Sequence, residues 1–444
     1  MEAGLRPSTD RSPPRYHRER FMKIVQVSRT DGGDGASNVA LRVHRGLLRL
    51  GHDSSMFVAQ RRGDPADSTV RVYEPPTDYL TRVRRRLRDL QINRSFAKYR
   101  KSRPPGYEAF SDDRTRHASE FLKQLPHCDV LHVQQMYQVF DFRSLFGNVP
   151  QHTPVVRTLH DASFFAGGCH SPEGCEKYTA QCGACPQLGS QDPEDLSREI
   201  WQRKAFVLQT IPRGRLYVVS PSRWLMNEAK RSALLKDVPV VLIPYGVDTD
   251  LFRPRDRSCA RDLLGIPPDA LVILFVSDPV HRPIKGFALL AQALEGMDPV
   301  PNLMVVSVGS GKPPAPVPIP YLSLGPLRNE RLLSFAYSAA DMFALPSRQD
   351  NFPSTVLEAM ACGTPVVGSA VGGVIDMVRP GITGSLFPPQ DAAALRSAIY
   401  AMCQNAAKRA EMSAHCRRVA VEEYSLEVLA KNHVELYRSI LAGH

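Results

Sequence analysis

MKIVQVSRTDGGDGASNVALRVHRGLLRLGHDSSMFVAQ, residues 22–60, decides the fold. MKIVQVS (22–28) is an apolar, β-branched run of strand length. It ends in a polar, glycine-rich turn, RTDGGDGAS. NVALRVHRGLLRLGH (38–52) then repeats apolar residues at helical spacing and stops at Gly51, a C-cap residue. MFVAQ (56–60) is a second strand. Strand, turn, helix, strand is a βαβ unit and implies a parallel sheet. VLHVQQ (130–135), VVRTLHD (155–161) and YVVSPS (217–222) read as further strands of that sheet.

A second series follows a proline-containing connector at 240–256. Its strands are LVILFVSD (271–278), NLMVVSVGS (302–310), MFALPS (342–347) and TPVVGSA (364–370), with helices such as 287–297 and 354–363 between them. A length of 444 residues suits two or three domains at about 150 residues each. The expected class is α/β, two doubly wound Rossmann-like lobes with a cleft between them. Ligands of such sheets bind outside the carboxyl ends of the strands. Residues 1–21 read as a disordered extension, 22–245 as the first lobe, 246–425 as the second and 426–444 as a C-terminal amphipathic helix.

The formal net charge is +11, which first suggests a nucleic-acid, anionic-lipid or phosphorylated partner. Counting localises it. Residues 81–103 hold ten basic residues and one acid, and residues 1–20 hold a further surplus of +2, so the remaining chain is neutral. Val83, Leu87, Leu90, Ile92, Phe96 and Tyr99 recur in 81–103 at three-to-four spacing. This fits an interfacial helix on an anionic leaflet, or simply a solvated charged face. No RNA-recognition motif or aromatic platform accompanies it, so no nucleic-acid partner is expected. The N-terminus has no apolar signal region, and no run of 18 apolar residues occurs. The expected location is cytoplasmic, peripheral on the cytoplasmic face of a membrane.

Cys169, Cys175, Cys182 and Cys185 form C-x5-C-x6-C-x2-C. Four thiolates suit a closed, structural zinc site; two disulfides or packed thiols are the alternatives. The loop Asp31–Ala36, with Gly33 and Gly35, lets backbone N–H groups approach a phosphate or sugar, or is a structural turn. It is neither G-x-G-x-x-G nor a P-loop.

The most specific stretch is PSRQDNFPSTVLEAMACGTPVVGSAVGG (346–373). With it, the chain resembles the retaining, nucleotide-sugar-dependent glycosyltransferases of family 4, which have the GT-B fold. It is most similar to enzymes of exopolysaccharide or lipopolysaccharide assembly that carry a Cys-rich insertion after T-L-H-D. The resemblance implies a C-terminal helix that crosses back onto the first lobe. It implies that Asp350 and Glu358 are the acids of an E-x7-E motif, the first on the donor sugar and the second on the ribose. Asp350 is one methylene shorter than the family's glutamate. Lys285, in H-R-P-I-K-G, would stabilise the diphosphate, as cations do for developing negative charge. The family's second cation, an arginine, has no clear match: the position five residues before Lys285 is Val280, and Arg282 is the nearest arginine. His160 would contact the donor sugar. Gly33 and Gly35 would line the phosphate and acceptor side, Gly309 and Leu327 would flank the base, and Asn351, Phe352, Ser354 and Thr355 would complete the donor site. No catalytic metal is implied. The expected activity is sugar transfer with retention to a saccharide or lipid-linked saccharide acceptor, in cell-surface polysaccharide biosynthesis. The rival expectation is a non-catalytic sugar-nucleotide or membrane-binding protein on the same fold.

Overall fold

The computed structural model describes residues 22–117 and 119–443; the predicted disordered extension lies outside them. Two all-parallel sheets organise the chain. The first contains β1 (Lys23–Thr30), β2 (Asp53–Gln60), β3 (Val70–Val72), β4 (Val130–Val133), β5 (Val155–Thr158), β6 (Leu216–Ser220) and β7 (Val240–Leu242), in the order β3-β2-β1-β4-β5-β6-β7. The second contains β8 (Leu271–Val276), β9 (Leu303–Val308), β10 (Tyr321–Ser323), β11 (Met342–Leu345), β12 (Val366–Ser369) and β13 (Gly384–Phe387), in the order β10-β9-β8-β11-β12-β13. Every residue of β4, β5, β9, β11 and β12 is buried. Strands covered on both faces by helices read as continuous apolar runs, which is how the sequence displays them.

The β1-turn-α1-β2 unit stands where the sequence places it. Helix α1 (Gly35–Arg49) is capped by Asp34, whose carboxylate accepts from the Ser37 N–H. Chain order reverses at β1/β4 in one sheet and at β8/β11 in the other. Each reversal opens a crevice at the strands' carboxyl ends.

The basic helix, α2 (Tyr79–Ala97), starts two residues before the predicted segment and ends six before its close. Asp78 caps it, and no residue in it is fully buried. Ion pairs from Arg85 to Glu120 (2.6 Å) and from Arg116 to Asp89 (3.8 Å) tether it to the lobe. Ile92 and Phe96 face inward, half-buried, whereas Tyr79, Leu80, Leu87 and Leu90 are 60–76% exposed.

Three further helices matter to the site: α3 (Leu196–Thr210), α4 (Ser354–Ala361) and α5 (Leu426–Leu441). Helix α5 packs Leu429, Val434, Tyr437 and Ile440 against Ile24, Val43 and Leu47 of the first sheet and α1. The C-terminus therefore returns to the N-terminal half of the chain. One expectation is corrected. The connector read at 240–256 begins with a strand, because Val240–Leu242 pairs with β6 as the edge of the first sheet. Among the described residues no helix is long and apolar enough to cross a membrane.

Candidate active site between the two sheets

The loops after β5, β8 and β11 meet across the crevice around a cavity of about 410 Å³. His160, Arg282, Lys285 and Asp350 line it, as do Gly35 at the start of α1 and Asn351, Phe352, Ser354 and Thr355 around the start of α4. Residues from Gly35 to Thr355, far apart in the chain, thus face one space.

The β11 side is locked by backbone contacts. Gly286 has φ +77°, and a Cβ there would stand 1.9 Å from the Pro346 carbonyl oxygen. Gly372, at φ +50°, would meet the Asp350 carbonyl oxygen at 1.9 Å. Only glycine fits both positions, so the Lys-Gly and Gly-Gly pairs clamp the loop that carries Asp350 from two sides. Helix α4 opens behind Pro353 with no side chain capping its first turn. Its first two residues, Ser354 and Thr355, line the cavity, which puts the positive end of the helix dipole there.

Lys285 Nζ donates to Asp350 Oδ2 at 2.6 Å, and the Ser347 hydroxyl donates to the same oxygen at 3.1 Å. Asn351 bridges the halves: its Nδ2 donates to the His160 carbonyl (3.2 Å), and its Oδ1 accepts from Ser222 (2.8 Å). His160 is held on both nitrogens, Nδ1 against the Tyr245 hydroxyl (2.6 Å) and Nε2 against Gln134 Oε1 (3.2 Å). Burial, with the Arg157 guanidinium nearby, pushes its imidazole down to about 3. It is therefore a neutral hydrogen-bonding group at physiological pH.

Arg282 lines the cavity, but its guanidinium is engaged by both carboxylate oxygens of Glu108. Glu358 departs further from expectation. It is buried outside the cavity lining, with Oε1 accepting from Arg42 Nη2 (2.7 Å) and Oε2 from the Tyr337 hydroxyl (3.2 Å). Arg42 comes from α1, so this ion pair ties the two lobes together. Burial raises the Glu358 carboxyl even against the pull of Arg42. Gly33, Gly309 and Leu327 also lie outside the lining of this cavity. The Gly33 N–H donates to Asn38 Oδ1 (3.1 Å), the Gly309 N–H donates to the Gly325 carbonyl (2.9 Å), and Leu327 packs on the second-sheet core.

The sequence reading missed several groups. Tyr245, Glu108, Arg42 and Gln134 orient predicted residues from distant parts of the chain. His170 was also missed. Its Nδ1 sits 2.8 Å from Asp161 Oδ2, and both side chains face the cavity. Burial opposes both charges, yet the pairing wins: Asp161 is held well below the usual carboxylate range, and His170 is raised. The one available signal was position, since His170 directly follows the first cysteine of the insertion.

The four insertion cysteines line one cavity of about 20 Å³, and all are free thiols. Burial pushes Cys169 and Cys185 up and takes Cys182 up to about 11. Among the described residues no group of three or more His, Cys, Asp or Glu stands where it could hold a metal ion.

Comparison with known proteins fits this architecture. A family model described as Glycosyltransferase Family 4 matches residues 33–251, and one described as Glycosyl transferases group 1 matches residues 270–405. A D-inositol 3-phosphate glycosyltransferase of Geodermatophilus obscurus is 38% identical over 198 residues, 40% of this chain and 43% of that protein. The match thus spans less than half the length of this relative. Sucrose-phosphate synthase from Thermosynechococcus elongatus superposes with a TM-score of 0.63 at 22% identity, over 95% of this chain and all of that one. Anabaena HepE in complex with UDP-glucose superposes with a TM-score of 0.60 at 17% identity, over 94% of this chain and all of that one. Two parallel sheets facing across a crevice, and two models that between them match both halves, lead to one conclusion: the chain belongs to the group 1, family 4 glycosyltransferases and has their two-lobed GT-B fold.

Proposed function

We propose that the chain transfers a sugar from a nucleotide-sugar donor to a saccharide or lipid-linked saccharide acceptor, with retention, in cell-surface polysaccharide assembly. The observation that carries the reading is the convergence of Lys285, Asp350, His160 and the uncapped start of α4 on one cavity. Lys285 and the α4 N-terminus supply the positive charge a diphosphate leaving group needs. In the donor-free state Lys285 and Asp350 are each other's counter-ions; a bound donor offers phosphate to the first and sugar hydroxyls to the second. His160, neutral, hydrogen-bonds the sugar. The acceptor hydroxyl attacks from the face the diphosphate leaves, and the leaving phosphate oxygen takes its proton. No carboxylate nucleophile on the opposite face is required, unlike in retaining glycosidases. Glu358 reaches the ribose only if Arg42 releases it. The likeness to a protein solved with UDP-glucose and to an inositol phosphate glycosyltransferase supports sugar transfer.

The acceptor's route is part of the proposal. Exposed Leu80, Leu87 and Leu90 among the arginines of α2 form a face suited to an anionic leaflet. The chemistry uses no catalytic metal, so chelator leaves transfer unchanged. A structural zinc rests only on the number and shared cavity of the four thiols. About one zinc per purified chain supports it, and none overturns it.

The test is a thermal-shift panel of UDP-, GDP- and ADP-sugars, followed by NMR of the product's anomeric configuration. Stabilisation by one donor, with retained configuration, is expected. No stabilisation, or inversion, overturns the reading. A second reading, a binding protein without turnover, is favoured by one observation: Arg282 and Glu358 are already paired with protein groups. Donor binding without transfer to any acceptor distinguishes it.

A further inference from the structure

A second cavity of about 380 Å³ adjoins the first and shares His160, Asp161, His170 and Arg282 with it. It lies against the first sheet. Most of its charges are paired. Arg29 faces Asp34 at 3.1 Å, His170 faces Asp161 at 2.8 Å and Arg282 faces Glu108. Asp112 and Asp113 are taken by Arg203 at 3.1 and 2.6 Å, with Arg114 also on Asp112 at 2.6 Å.

Two cations remain, Arg157 from β5 and Lys204 from α3. Both line the cavity, and they are only 7% and 3% exposed. Neither makes an ion pair with a carboxylate among the described residues. The acids whose charge reaches them, Asp161 and Asp113, are paired at contact distance with His170 and Arg203 instead. Lys204 Nζ donates to the carbonyls of Ser163 (2.5 Å) and Ala166 (2.9 Å), which leaves one of its three N–H groups. Arg157 Nη1 donates to the carbonyls of Val133 and Gln134; its Nε is buried with no partner. Each cation also rests on an aromatic face, Arg157 on Phe164 at 5.3 Å and Lys204 on Phe142 at 5.7 Å. Two desolvated positive charges beside unspent donors are costly unless an anion arrives.

We propose that Arg157 and Lys204 bind a phosphate group carried by the acceptor. A phosphate has enough oxygens for both residues, and its charge matches the two uncompensated cations. The proposal rests on the reading that the first cavity holds the donor, because His160 then stands between donor sugar and acceptor. A third cavity, of about 690 Å³, continues from Arg29, Ser111, Asp112 and Tyr137 to the inner face of α2. It gives room for the rest of a long acceptor. The phosphate can belong to a soluble sugar phosphate or to a lipid diphosphate carrier.

Inorganic phosphate is titrated calorimetrically into the full chain saturated with a nucleoside diphosphate, so that the donor half is filled. One phosphate per chain is expected. Lys204→Met and Arg157→Met each weaken it about tenfold while nucleotide affinity stays unchanged, and Lys204→Arg retains it. Absence of phosphate binding to the saturated wild type overturns the proposal, as do variants that bind like wild type. If no nucleotide binds, the donor reading has failed, and the same titration into Lys285→Ala still tests the phosphate site. If a variant does not fold, a crystal structure with phosphate decides. Phosphate within hydrogen-bonding reach of Arg157 and Lys204 supports the proposal, and phosphate placed elsewhere overturns it. Transfer to a sugar phosphate and to a polyprenyl-diphosphate-linked sugar separates the two sources. Preference for either over its dephosphorylated form supports the site, and equal KM values overturn it.

Discussion

The two sides of the crevice are built differently. The second-sheet side comes from one short stretch, residues 346–373, with Lys285 clamped against it by Gly286. The first-sheet side gathers Gly35, Glu108, His160, His170 and Tyr245 from separate loops. A side made locally carries its chemistry in spacing. A side made by long-range pairing carries it in contacts that spacing does not encode. Single substitutions should therefore act on chemistry in the first case and on architecture or acceptor affinity in the second.

The sharpest break is Glu358→Ala, because this residue belongs to both sides. Among the described residues it leaves buried Arg42 with one carboxylate partner, Glu330, 3.5 Å away and itself partly exposed. Losing one partner of a buried pair costs about 3–5 kcal/mol. Chemical denaturation should show that loss, and Arg42→Met in the same chain should recover part of it. If Glu358 serves the ribose alone, stability is unchanged and only donor affinity falls. Lys285→Ala should leave stability nearly intact and lower kcat by about 10²–10³-fold, the scale for removing one group that stabilises a developing anion. Steady-state kinetics with the identified donor checks it.

These contrasts mark what was legible. The βαβ unit, the inner strands of both sheets and the contiguous Asp350–Thr355 stretch at the start of α4 could be read, because each is a periodic run or a contiguous motif. The edge strands β3, β7, β10 and β13 could not. Three or four residues carry no period, and Val240–Leu242 looked like a connector beside Pro244. Glu358 was placed correctly on its helix and misjudged in its surroundings, because Arg42 lies 316 residues away. Glu108, which takes Arg282, lies 174 residues away. His170 is legible only once the insertion is seen folding back onto Asp161.

A smaller effect tests that fold-back. The raised His170 contributes stability that is fully present below its unfolded value of 6.5 and is lost as pH rises through its higher folded value. The depressed Asp161 contributes above its unfolded value of 3.8 and loses that contribution as pH falls. The pair's contribution is therefore greatest between those two values. The stability gap between wild type and His170→Gln should be widest near pH 5 and narrow toward pH 9. A pH-independent gap would mean that the pair is not charged. The smallest expected effect per residue is on α2. Each exposed arginine neutralised there should weaken vesicle binding by about 1 kcal/mol on anionic lipid and hardly at all on neutral lipid. Co-sedimentation reads it, and equal binding to both vesicle types would remove the leaflet from the account.

The central claim is that the locally built side holds a nucleotide sugar through Lys285. Calorimetric titration of the sugar-nucleotide panel into wild type and Lys285→Ala tests it most directly. The account predicts one donor that binds wild type at one site and binds the folded variant at least about tenfold more weakly. Equal affinity for both proteins, or no sugar nucleotide that binds either, would contradict it.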